Sequence, residues 1–65
     1  MYKVIRTDKN GENHESFMGI VSLINFIKPS ITARKRVRKI LTNLPIGESR
    51  FYILKNGDTI EVCHA

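Results

Sequence analysis

The chain has no tryptophan, one cysteine and two prolines among its 65 residues. One cysteine cannot close an internal disulfide and fits a reducing compartment. The soft-metal donors are few: Cys63 and His64 are adjacent, and His14 stands far from both. That spacing does not supply four zinc ligands, so no metal is expected. The longest apolar stretch, Phe17 to Ile27, is broken by Gly19, Ser22 and Asn25, too short and too polar to span a bilayer. Met1 to Arg6 lacks the apolar core of a signal peptide. A soluble cytoplasmic protein with no membrane contact is the expectation.

Acids are scarce and badly placed for catalysis. Asp8, Glu12 and Glu15 come early, Glu48, Asp58 and Glu61 come late, and none lies between Glu15 and Glu48. There is no glycine-rich phosphate loop and no suggestive order of Ser, His and Asp or of Cys and His. Sixty-five residues leave little room for a concave site. Neither an enzyme nor a cofactor is expected.

What the chain does have is Ile31-Thr32-Ala33-Arg34-Lys35-Arg36-Val37-Arg38-Lys39-Ile40-Leu41. Five cations fill six positions, interrupted by Val37. Ala33, Val37, Ile40, Leu41 and Leu44 follow a helical spacing and crowd into one arc. Arg34, Lys35, Arg36, Arg38 and Lys39 sweep most of the rest. Lys/Arg-rich helices are often plain solvated surface, but such faces usually carry acids one turn away that form pairs. Here no acid is near. The local charge is uncompensated, which suits a polyanion.

Length and charge agree with a small binding module. The chain reads as one α+β domain, residues 1–65, and a domain this short is marginal alone. It has 42% hydrophobic residues, a net charge of +5 and a pI near 9.8. Without disulfide or metal, self-association as a homodimer would bury further apolar surface.

The elements follow from local signals. Arg50–Leu54 and Thr59–Cys63 flank Asn56-Gly57, a strong hairpin signature. A two-residue type I′ loop would pair Tyr52 with Glu61 and Phe51 with Val62. Phe51, Ile53, Ile60 and Val62 then share an apolar face, and Tyr52 points outward. Cys63 would lie beside Arg50 as an outward thiol. Tyr2–Thr7 reads as a strand, and Asn10-Gly11 offers a second two-residue turn pairing Arg6 with Glu15 and Val4 with Phe17. The return strand, about residues 12–16, is weak in β-formers. Two helices are predicted between the hairpins, at about 17–28 and 31–43. The first has its small and polar residues in one narrow stripe and should be buried on its other sides. Pro29 stops it. Ser30 or Thr32 can cap the second. Phe17, Phe26 and Phe51 read as core.

Helix, short turn, basic helix and hairpin in that order resemble the core of a winged helix-turn-helix domain. The resemblance spans roughly Phe17 to Cys63 and rests on element order, not on a residue signature. It implies a second helix in the major groove of DNA and a hairpin wing on the backbone. The chain departs from it in having a strand where a leading helix is usual, and an acid, Asp58, at the wing tip.

Two functions are therefore expected in competition. One is a small DNA-binding transcriptional regulator, with DNA preferred to RNA. Its contacts would be Thr32, Arg34, Lys35, Arg36, Arg38 and Lys39, with Ser30, Arg50, Tyr52 and Lys55 as secondary positions. The other is an interaction module that binds and modulates a larger acidic protein. Ser30 reads more naturally as a cap than as a phosphate donor. Tyr52 reads more naturally as packing than as a base-stacking platform.

Overall fold

The tripeptide Lys-Asn-Gly occurs twice, as Lys9-Asn10-Gly11 and Lys55-Asn56-Gly57, and builds the same turn both times. In the computed structural model, which describes residues 1–65, Gly11 and Gly57 have φ of 80° and 92°. Neither asparagine has positive φ. The amide of Gly57 donates to the Leu54 carbonyl at 3.0 Å, and the Leu54 amide to the Asp58 carbonyl at 2.8 Å. Gly11 and Asp8 repeat those bonds with Asp8 and Glu12, both at 3.0 Å. These are three-residue loops ending on a left-handed glycine, not type I′ turns.

The extra loop residue shifts both expected registers by one. In the C-terminal hairpin Arg50 pairs with Val62, Phe51 with Glu61 and Tyr52 with Ile60. In the N-terminal hairpin Val4 pairs with Ser16, Ile5 with Glu15 and Arg6 with His14. A one-residue slip exchanges the faces of a strand. Phe51, Ile53 and Phe17 therefore leave the core and stand 74%, 78% and 57% exposed. Tyr52, expected outside, turns inward against the core. Cys63 lies opposite Ser49, not Arg50.

The strands are β1 (Tyr2–Thr7), β2 (Asn13–Met18), β3 (Ser49–Ile53) and β4 (Thr59–His64). They form one antiparallel sheet in the order β2-β1-β4-β3. The weak return strand does form, and it takes Phe17 and Met18, which were expected to open the first helix. That helix, α1 (Ile20–Ile27), starts only after Gly19. It ends at Lys28, whose amide donates the last helical bond to the Ile24 carbonyl and whose left-handed φ of 52° turns the chain out of the helix before Pro29. The second helix, α2 (Ile31–Thr42), ends one residue short of expectation, with Asn43 at its C-cap.

Both helices pack on one face of the sheet. Tyr2 and Val4 from β1 and Ile60 and Val62 from β4 meet Leu23, Ile24 and Ile27 from α1 and Leu41 and Leu44 beyond them. Full burial of such side chains contributes about 1.5–3 kcal/mol each. The stripe Gly19, Ser22, Asn25 and Lys28 is exposed as expected, but so is Val21, so α1 is covered on one side only. The Tyr2 hydroxyl donates to the Leu41 carbonyl at 2.9 Å, and the Tyr2 ring stacks on His64 with centroids 4.8 Å apart. These contacts tie α2 to the two central strands. No helix is long and apolar enough to cross a membrane.

The winged-helix order is present, but the wing is not. β4 pairs with β1 on one side and β3 on the other. The C-terminal hairpin is thus half of the main sheet, not a projecting arm.

Candidate nucleic-acid interface

Ser30 opens α2 as expected of a cap: its hydroxyl accepts from the Ala33 amide at 3.2 Å. That oxygen also lies 3.2 Å from the Thr32 hydroxyl. Ser30 is thereby committed to the helix end, and Thr32 is the freer of the two. No acid occupies the first turn of the helix. Val37 is half-buried and Leu41 fully buried, so the helix docks along that line.

Arg34, Lys35, Arg36, Arg38 and Lys39 are all exposed. The ion pairs of the molecule are Lys3–Glu15, Arg6–Asp58 and Asp8–His14, and none involves α2. Five of the eleven Lys and Arg residues lie in this helix, and the remaining six match the six acids. The five cations of this one helix thus equal the net charge of +5 in number. At about 100° per residue the cations sweep an arc of roughly 200°. Thr32 and Thr42 fall inside it. An extended, unpaired cationic surface on a rigid helix is chemically suited to a row of phosphates.

The secondary positions lie elsewhere. Arg50 and Tyr52 are on β3, and Lys55 is exposed in the turn after it. The Arg50 guanidinium donates to the Ser49 carbonyl at 3.0 Å. Tyr52 is half-buried, and that burial holds its hydroxyl above the usual pKa of 10.0, opposed by the charge of Arg50. A packed ring of this kind is not a free stacking platform. Lys55 and Lys28 border a shallow groove of about 650 Å³ floored by Met18, Phe26 and Leu54.

His14 and the Cys63–His64 pair sit at opposite ends of β1: His14 opposes Arg6, while Cys63 and His64 oppose Lys3 and Tyr2. His14 meets a different group. Its Nε2 lies 2.9 Å from Asp8 Oδ2, while Asp8 Oδ1 accepts from the Asn10 and Glu12 amides at 2.9 and 3.0 Å. The His14 hydrogen bond first, and then the Glu12 amide, hold the Asp8 carboxyl below its usual 3.8. This cluster closes the first turn. Sequence reasoning missed both it and the apolar side chains on the helix-free face of the sheet. The repeated Lys-Asn-Gly marks both turns without fixing their length, so no sequence signal exposed the register.

Comparison with family models, with curated proteins and with solved structures gives no match.

Proposed function

We propose that this is a small nucleic-acid-binding protein that grips phosphates with α2, DNA in preference to RNA, in a regulatory role such as control of transcription. One observation carries the reading: five cations, as many as the net charge of +5, stand unpaired on one exposed helix face. Arg34, Lys35, Arg38 and Lys39 are the principal contacts, with Arg36 and Thr32 beside them. Arginine makes bidentate contacts to phosphate or to a guanine edge, and lysine acts as a point charge. Ser30, Arg50, Tyr52 and Lys55 are not needed for the grip. The lone thiol of Cys63 suits the reducing cytoplasm.

A second reading has its own support. Ile31, at the start of α2, is 94% exposed. An apolar anchor beside five cations suits an acidic protein surface with a hydrophobic pocket.

A mobility-shift assay with mixed DNA and RNA at two salt concentrations separates the readings. Binding that weakens steeply with salt supports phosphate contacts. No shift at low salt removes the nucleic-acid reading and leaves the acidic protein surface.

A further inference from the structure

The sheet ends in two edges of opposite character. The β2 edge carries Asn13, His14, Glu15 and Ser16, a polar and charged run of the kind that discourages strand addition. The β3 edge reads Ser49-Arg50-Phe51-Tyr52-Ile53, with no proline, lysine or acid. Its backbone parity is fixed by the turn. The Leu54 amide donates to the Asp58 carbonyl just before β4, and the Glu48 carbonyl accepts from the His64 amide of β4. In an antiparallel ladder such groups alternate. Arg50 and Tyr52 therefore face β4, and the amides and carbonyls of Ser49, Phe51 and Ile53 point away from the sheet. Phe51 and Ile53 are also the exposed large apolar side chains of the strand.

We infer that β3 is a homodimer edge: two copies pair β3 against β3, antiparallel, about a two-fold axis through Phe51. The parity favours this register. Phe51 opposes Phe51 of the second copy, and Ser49 opposes Ile53, so about six outward backbone groups on each copy find partners. The single charge on the strand, Arg50, falls opposite a tyrosine ring and not opposite its own copy. Like charges are thereby kept apart. The strand thus meets its own copy with no like-charge contact and with one exposed phenylalanine on another, which favours a second copy as the occupant.

The symmetry has a consequence. The axis of such a pair is perpendicular to the sheet, so pairing preserves its faces. The result is one eight-stranded sheet with all four helices on the same side. Both cationic α2 helices then lie on one surface, and the apolar Phe51, Ile53 and Phe17 side chains lie on the other. The pairing stands independently of the proposed nucleic-acid function.

Sedimentation equilibrium of the full chain tests it, across about 1–200 µM, the range suited to a small edge interface. The mass is expected to double from 7.5 kDa. Phe51→Lys should remain at 7.5 kDa with an unchanged circular dichroism spectrum. Phe17→Lys, at an exposed phenylalanine on the opposite edge, should dimerise like the parent. Amide hydrogen exchange of the unmutated chain gives a readout that no folding defect can confuse. Ser49, Phe51 and Ile53 should become protected as concentration rises. A parent that stays monomeric, a dimer that leaves those amides unprotected, or a dimer broken by Phe17→Lys and not by Phe51→Lys overturns the inference. So does protection of those amides only on adding another protein.

Discussion

Arg6 and Asp58, 52 positions apart, meet in a 2.8 Å ion pair that bridges β1 and the turn of the C-terminal hairpin. The Asp58 carboxylate is only 7% exposed, and the Asn56 amide supports it at 3.2 Å. A buried carboxylate needs such partners, and the cation opposite is left uncompensated if it is removed. Asp58→Ala should cost about 1–3 kcal/mol, less than the roughly 3–5 kcal/mol for breaking a fully buried pair, because Arg6 reaches solvent. Urea unfolding measures it, and a loss below about 0.5 kcal/mol would place the pair among ordinary surface contacts.

The turn geometry makes a separate claim about Asn56 and Gly57. Gly57 holds a left-handed φ of 92°, so Gly57→Val should destabilise by about 1–2 kcal/mol or more. Asn56 is not left-handed, and its Oδ1 accepts from the Asp58 amide at 2.9 Å. Asn56→Gly should therefore lower the melting temperature. In a type I′ turn the same change would be neutral or stabilising, and a raised melting temperature would restore that turn.

The elements were legible in the sequence to different depths. Asn-Gly located both turns, and the apolar periodicity of Ala33, Val37, Ile40, Leu41 and Leu44 located α2 and its docked side, although Ile40, at the border of that arc, stands 40% exposed. The count of loop residues was not legible, because Lys9 and Lys55 look like strand ends and only backbone hydrogen bonds show them inside the loops. That single residue moved Phe17, Phe51 and Ile53 from the core to the open face. Phe17 and Met18 also read as helix, since an apolar pair before an apolar helix carries no strand signal of its own. Of the candidate site, the cationic face of α2 was fully legible from charge spacing. Arg50, Tyr52 and Lys55 depended on a register that the sequence left open.

Asp8 gives a pH dependence. Its carboxyl is lowered in the folded chain, so its contribution to stability is present above the ordinary value of 3.8 and fades as pH falls through the folded value. A carbon-detected titration should place its midpoint below 3.8. In His14→Ala the midpoint should move back toward that value, since the His14 hydrogen bond is the largest cause. A midpoint unmoved by the substitution would show that the backbone amides alone hold the carboxylate.

Arg34 and Arg38 lie one turn apart on the cationic side of α2, and Val37 lies between them on the docked side. Val37→Asp should unfold the domain, because it sets an unpaired charge against the core. Circular dichroism would show the loss of structure. A folded Val37→Asp chain would mean that α2 is not held along that line.

The most direct measurement is the salt dependence of DNA affinity for the parent and for Arg34→Glu with Arg38→Glu. Contact with about five phosphates gives a slope of log affinity on log salt of roughly −4 to −5. The double reversal should keep its melting temperature, since exposed substitutions usually cost under about 0.5 kcal/mol, and should lose binding altogether. A parent with no salt-dependent affinity, or a folded double reversal that binds as tightly as the parent, would contradict the assignment of α2 as a nucleic-acid interface.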